Sequence, residues 1–245
     1  MTVSPEVLEK PTERQRGLGR VYIPNPGSLN YQLREALPRT VLAPSNWKSK
    51  RWRMGRGHAF QSQGYTSHCV RYGCTHVLML EAIVRGNAFD LTKGLYQWAQ
   101  RNDPWPGEEP SYYGTSVDSG LQYLLHQAKV ISEYRWARSM DDVLARLSAK
   151  ASDGGGPLIV GTDWWSGMDN NDGSGIWTPT GNYRGGHCYV FRGHISPTAK
   201  REGVILTGNS HSGNFEGRLS YDAAEYLLFG ANGEAAAITE IPRAI

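Results

Sequence analysis

The chain has 245 residues, of which 39% are hydrophobic and 20% charged, a balance that is ordinary for a soluble globular protein. Its formal net charge of +3 is too small to indicate any particular partner. No apolar run approaches the roughly 18 residues that a membrane span needs, and residues 1–10 lack the apolar core of a secretory signal. Three cysteines are too few for a disulfide framework. We therefore expect a cytoplasmic protein in a reducing compartment, with no membrane partner.

One basic segment departs from this even charge distribution. Its cationic and indole side chains are Trp47, Lys48, Lys50, Arg51, Trp52, Arg53 and Arg56. Cations interleaved with aromatic rings are typical of nucleic-acid surfaces. Most charge runs are nevertheless solvated surface, so a nucleic acid is not an expected partner.

The order of predicted elements changes character once along the chain. Residues 1–41 form a polar, proline-containing arm with one short strand predicted at residues 17–23. Helices are then predicted from Cys69 to Val84, over 91–101, over 116–127 and after an N-terminal cap at Ser139. After a glycine-rich break at residues 154–157, strands are predicted at 158–162, 187–192, 203–207, 217–221 and 235–241, with a helix over 221–229. This pattern predicts an α+β protein of two lobes, with the active site in the cleft between them.

Cys69 is predicted to be the first residue of the central helix, with Thr66 or Ser67 as its cap. A thiol at a helix N-terminus faces the positive end of the helix dipole, which favours the nucleophilic thiolate. Gln63 precedes it on the same loop. Its side-chain amide and the Cys69 backbone N–H are therefore candidate donors of an oxyanion hole.

His187 is the candidate base for this nucleophile. It begins a predicted strand, and Gly186 before it allows close backbone approach. Strand alternation places Cys188 on the opposite face, in the core. Asn209 follows the next strand and can accept a hydrogen bond from the imidazole, which would fix its tautomer.

The order Gln63, Cys69, His187, Asn209 resembles the papain family of cysteine peptidases. Segments 42–47, 91–96, 113–125 and 156–160 are also similar to the family's, the second of them to bacterial members, so the resemblance covers roughly residues 42–241. It implies a papain-like two-lobe fold with a catalytic domain over 42–245. The helical lobe would span about 58–153 and the strand-rich, barrel-like lobe about 154–245. The implied partner is a peptide or protein substrate, and no cofactor is implied.

The resemblance also implies roles for individual residues. Cys69 and His187 would form a thiolate–imidazolium pair held by Asn209, and Gln63 would stabilise the oxyanion. Gly114 and Gly186 would meet the substrate backbone. Trp164 and Trp165 would line an apolar subsite, unless either belongs to the core.

Three departures from the family pattern bear on these expectations. Thr66 stands where the family has a disulfide cysteine. His211 replaces the tryptophan that covers the His–Asn hydrogen bond, while Phe215 keeps an aromatic ring at the second tryptophan position. No long helical propeptide precedes the catalytic domain, so restraint by a removable segment is not expected.

Alternative functions fit less of the sequence. A catalytically silent papain-fold binding or structural protein is the main one, favoured by the replacement at His211. An amidase acting on peptidoglycan peptides is a second. A metal site around Cys69, Cys74 and His76 is disfavoured, because no second ligand pair follows at zinc-like spacing.

Overall fold

The structure, a computed structural model, describes residues 18–23, 25, 27–105, 107, 113–169, 173–211 and 213–242. Those residues contain short helices in the first half and a large antiparallel sheet in the second. Among them, no helix is both long and apolar enough to cross a membrane.

The helices are short and are separated by turns. They are α1 (Arg39–Leu42), α2 (Cys69–Met79), α3 (Ala88–Leu91), α4 (Leu95–Asn102), α5 (Val117–Gln122), α6 (Met140–Ser148) and α7 (Tyr221–Glu225). Helices α5 and α7 each continue into one π-helical turn, Tyr123–Gln127 and Tyr226–Gly230. The predicted cap at Ser139 is confirmed, because its hydroxyl accepts a hydrogen bond from the N–H of Asp142.

The strands form one antiparallel sheet. They are β1 (Lys50–Arg51), β2 (Glu133–Trp136), β3 (Leu158–Trp165), β4 (Tyr183–Ile195), β5 (Val204–Gly208), β6 (Arg218–Ser220) and β7 (Glu234–Glu240). Their order is β2-β7-β3-β4-β5-β6, and β1 pairs with the far end of β4. Because β2 and β6 are its two edges, the sheet is open rather than closed into the barrel-like form that was expected.

The sheet separates two hydrophobic clusters. On one face, Cys188 and Val190 of β4 pack with the buried residues of α2 and α5. On the other face, Tyr189 and Phe191 pack with residues of α6 and α7. The predicted alternation along this strand is therefore confirmed, and Cys188 is a core residue. The described part of the arm also packs inward, since Leu33 and Leu37 are buried in the second cluster.

Three local predictions were wrong. Helix α2 ends at Met79, because the chain leaves helical geometry at Leu80 and pairs there with Met54. Strand β2 lies in a region predicted to be helical or irregular, and its partner β7 is about 100 residues away, beyond the reach of local patterns. The strand predicted at 17–23 is reduced to one bridge between Arg20 and Thr115.

Candidate active site between helix α2 and strand β4

Cys69 is the first residue of α2 and is completely buried. The residue before it, His68, is the N-cap and makes no side-chain capping bond, so the predicted cap at Thr66 or Ser67 is wrong. The Thr66 hydroxyl instead donates to the carbonyl of Gln63, at 2.7 Å. The sulphur of Cys69 interacts with the backbone N–H of Cys188, which places the thiol beside the start of the buried part of β4.

His187 and Asn209 form a buried hydrogen-bonded pair. Their Nε2 and Oδ1 atoms lie 2.7 Å apart, and neither residue is exposed to solvent. The Asn209 amide is oriented by its own bonds: Nδ2 donates to the carbonyl of Asn214 at 3.1 Å, and Oδ1 also accepts from the N–H of Ser210. Since Oδ1 can only accept, Nε2 of His187 carries the proton. Nδ1 is left as an acceptor with no hydrogen-bond partner among the described residues.

Two rings enclose this pair. His211 stacks on the imidazole of His187, with ring centroids 4.2 Å apart and planes 25° apart. The indole of Trp164 meets both rings edge-on, with centroid distances of 4.8 Å and 5.4 Å. The imidazole of His211, supported by Trp164, therefore covers the position for which a tryptophan was expected.

The side chain of Gln63 lies beside the Cys69 helix start but is engaged in other bonds. Its Nε2 donates to the carbonyl of Thr66 at 2.6 Å and, over a long 3.4 Å, to the carbonyl of Leu18. Its Oε1 accepts from the hydroxyl of Ser210 at 2.5 Å. The amide nitrogen of Gln63 is thus directed at two peptide carbonyls, those of Thr66 and Leu18.

The Leu18 carbonyl belongs to residues 18–21, here called the cleft segment. The backbone N–H groups of Gly19 and Arg20 donate to the carbonyl of Gly186, at 3.1 and 3.0 Å. On the opposite side, the N–H of Thr115 donates to Gly19 at 2.8 Å, and the N–H of Val21 donates to Thr115 at 3.0 Å. The cleft segment therefore bridges the residue before His187 and the loop predicted to bind substrate. The sequence did not predict this restraint.

Two glycines make this close approach possible. A Cβ on Gly114 would lie 1.8 Å from the carbonyl oxygen of Gly19, and one on Gly186 would lie 2.1 Å from that of Arg20. Gly114 also has a φ of +74°, in the region that favours glycine. Both positions predicted to meet a substrate backbone thus meet the chain's own backbone.

Burial favours the uncharged forms of Cys69 and His187 in this arrangement. Burial raises the pKa of the Cys69 thiol to about 12, and nearby N–H groups and Arg20 offset only part of that shift. Burial, followed by the neighbouring His211, lowers the pKa of His187 well below its usual value, against the bond to Asn209. These shifts disfavour the thiolate–imidazolium pair expected from the sequence while Cys69 and His187 are buried, because desolvation acts against the helix dipole.

The two predicted subsite tryptophans have different surroundings. Trp164 is fully buried, and its Nε1 donates to Asp169 at 2.8 Å. Trp165 is half-buried and packs against Tyr183, with ring centroids 5.8 Å apart. In the described part of the chain, no group of three or more His, Cys, Asp and Glu side chains is placed to hold a metal ion.

Comparison with known proteins gives a match in structure but not in sequence. No family model matches the chain, and no curated protein does. The solved structure of xylellain, a cysteine protease from Xylella fastidiosa, matches with a TM-score of 0.66 at 14% identity over 97% of this chain and all of that one. The fold is that of the papain-like cysteine proteases.

Other papain-like structures match the chain at similarly low sequence identity. Procathepsin L2 from Tenebrio molitor has a TM-score of 0.55 at 14% identity, covering 95% of this chain and 80% of its own. Recombinant stem bromelain precursor has a TM-score of 0.52 at 13% identity, covering 92% and 78%. At such identities the likeness establishes the papain-like fold.

Proposed function

We propose that this protein is a papain-like cysteine peptidase that hydrolyses peptide bonds of peptide or protein substrates. The observation that carries the proposal is the buried pair of His187 and Asn209. The hydrogen bond to Asn209 keeps the proton of the His187 ring on Nε2, so Nδ1 is the nitrogen able to accept another proton. The Cys69 thiol lies at a helix N-terminus beside the same strand, next to the backbone N–H of Cys188. Nδ1 makes no hydrogen bond to it in this state, so the proposed proton transfer requires the two groups to approach each other once the cleft is open.

The proposed cycle begins when the cleft segment leaves. Water and substrate then replace it, the desolvation of Cys69 decreases, and the helix N-terminus favours the thiolate. The thiol proton moves to Nδ1 of His187, while Nε2–H stays on Asn209. The thiolate attacks the peptide carbonyl, and the Gln63 amide with the Cys69 N–H stabilises the oxyanion.

The cycle then proceeds through a thioester. His187 gives its proton to the leaving amine as the C–N bond breaks. Water attacks the thioester, His187 accepts one of its protons, and the acid product leaves with the Cys69 sulphur restored. The bond from Gln63 to the Leu18 carbonyl supports this assignment, because a carbonyl oxygen already lies at the amide donor proposed for the oxyanion.

Thiol labelling followed by intact mass tests the proposal. The Arg20→Ala variant, in which the cleft segment should be released, is treated with the epoxide E-64 or with iodoacetamide at mildly acid pH. We expect one adduct, retained when Cys74 is also replaced by alanine and lost when Cys69 is, because an activated thiolate in an open cleft reacts where a buried structural thiol does not. All three cysteines are buried while the cleft is filled, and Cys74 and Cys188 serve as internal references.

The competing function is a silent papain-fold binding protein. It is favoured by the filled cleft and by the burial that shifts the pKa values of Cys69 and His187 towards their neutral forms. Slow labelling spread over the three cysteines of Arg20→Ala, with no peptide cleavage, would support that function and reject the peptidase.

A further inference from the structure

The side chain of Arg20 fills a closed pocket beside the candidate active site. Only 1% of it is exposed, and the Glu234 side chain at the end of the pocket is 8% exposed. Nε and Nη2 of Arg20 donate to the same oxygen, Oε1 of Glu234, at 3.0 and 2.9 Å. The wall at Gly161 has no spare room, because a Cβ there would lie 2.7 Å from Nε of Arg20.

The backbone of Arg20 lies where a bound peptide would lie. Its N–H donates to the carbonyl of Gly186, and the residue forms a bridge with Thr115. Two residues earlier, the Leu18 carbonyl meets the Gln63 amide. The cleft segment thus contacts the protein groups that would bind substrate in the proposed function. Arg20, which forms the bridge with Thr115, directs its side chain to Glu234.

The charges of this pocket favour a cation. Arg20 interacts with Glu234 and also with the carboxyl of Asp163, and Asp118 adds a further negative charge near Glu234. Burial raises the pKa of Glu234, whereas Arg20 lowers it. An aliphatic side chain in place of Arg20 would leave a buried carboxylate without a partner, and an acidic one would add repulsion.

We propose that this pocket selects a basic substrate side chain, arginine before lysine, with Glu234 as the specificity-determining residue, and that Arg20 occupies the pocket in the free protein. This inference rests on the proposed function, because the ligand of the pocket is a substrate side chain only if the protein is a peptidase. Arginine is preferred because two of its N–H groups reach one carboxylate oxygen, whereas lysine offers a single ammonium.

A set of fluorogenic peptides tests the preference by cleavage. Each position before the scissile bond is varied in turn among arginine, citrulline, leucine and glutamate, citrulline being the neutral match of arginine. We expect one position at which kcat/KM for arginine exceeds that for citrulline by on the order of 100-fold, the usual effect of a buried charge pair. Glu234→Gln should reduce this ratio below about tenfold.

The control for that variant is Glu133→Gln, which removes another arginine-bound carboxylate, on β2. It should keep the preference of the wild type. Cleavage without an arginine preference, or a preference that Glu234→Gln leaves intact, would overturn the proposal while leaving the peptidase in place.

A binding assay makes the pocket testable without catalysis. In Cys69→Ala/Arg20→Ala, ethylguanidinium supplies the atoms that the second substitution removes. We expect it to raise the melting temperature of this variant relative to Cys69→Ala/Arg20→Ala/Glu234→Gln, because a ligand that binds only the folded state stabilises it. Arg20→Ser replaces Arg20→Ala if the latter does not fold.

The two assays separate the two hypotheses. Stabilisation that depends on Glu234 without any peptide cleavage would keep the pocket and reject the peptidase. Equal effects of ethylguanidinium with and without the Glu234 carboxylate would reject the pocket, whether or not the protein cleaves peptides.

Discussion

Arg20 and Glu234, 214 positions apart in the chain, form a buried ion pair with Nη2 and Oε1 2.9 Å from each other. The pair joins the N-terminal arm to β7, and between them the backbone of the arm lies across the loop at Thr115 and the carbonyl of Gly186. The arm is therefore part of the candidate site. Its release is a condition for the activity proposed here.

Arg20→Ala should open the cleft. It removes the ion pair, and breaking a buried pair costs on the order of 3–5 kcal/mol. Part of that free energy holds the cleft segment in place, so the substitution should weaken its binding to the cleft. We expect Cys69 to react with iodoacetamide at least about tenfold faster, as measured by intact mass over time. Labelling of Cys74 should stay slow, which separates local opening from unfolding.

The control for this variant is Arg34→Ala. Arg34 also pairs with a buried carboxylate, that of Asp142, but away from the cleft segment. Equal acceleration of Cys69 labelling in both variants would mean that general destabilisation, not release of the segment, exposes the thiol.

Gln63→Ala and Gln63→Glu should both reduce turnover. Each removes the Nε2 donor assigned to the oxyanion, and loss of one such donor typically costs on the order of 10²–10³ in kcat. Glutamate has nearly the same size and shape as glutamine and keeps an acceptor for the Ser210 hydroxyl, so Gln63→Glu removes the donor without removing the side chain. Steady-state kinetics with a cleaved peptide measures the effect, and a change confined to KM would remove Gln63 from the oxyanion hole.

Asn209→Ala should lower kcat/KM by on the order of 100-fold, because His187 would lose the acceptor that holds its Nε2 proton. Asn209→Asp keeps an acceptor oxygen and should retain more activity. A carboxylate would also raise the pKa of His187, so the acid side of the pH–rate profile should move to higher pH. Equal kcat/KM in the alanine variant and the wild type would contradict the assignment.

His76 should make the protein sensitive to acid. Burial lowers its pKa to about 3, and its Nε2 accepts the N–H of Gln61 at 3.0 Å. In the unfolded chain His76 binds its proton near pH 6.5, so the contribution of neutral His76 to stability is fully present above that pH. As the pH drops from there towards 3, this residue lowers the protein's free energy of unfolding by about 1.4 kcal/mol per pH unit.

Denaturant titrations at several pH values measure this slope. His76→Gln keeps a candidate acceptor but does not titrate, so its stability should fall less steeply between about pH 6 and 4. The exposed His126 provides the control variant, His126→Gln, which should follow the wild type. Parallel slopes in His76→Gln and the wild type would exclude His76 as a source of acid sensitivity.

Local patterns in the sequence predicted much of the fold. The helix that begins at Cys69, the cap at Ser139 and the alternation around Cys188 depend on neighbours within a few positions, and the structure agrees at each. The open sheet edge at β2 was missed because its partner β7 is remote in sequence. The early end of α2 was missed because the pairing of Leu80 is tertiary.

The sequence by itself determined the order of the candidate residues, the position of the thiol at a helix start and the α+β composition, since these depend on residue type and spacing. The tertiary structure alone decided that Arg20 lies against Glu234, that His211 stacks on His187, and that burial raises the pKa of the Cys69 thiol and lowers that of the His187 imidazole. Those features depend on burial and on contacts between distant segments, and no local pattern contains them.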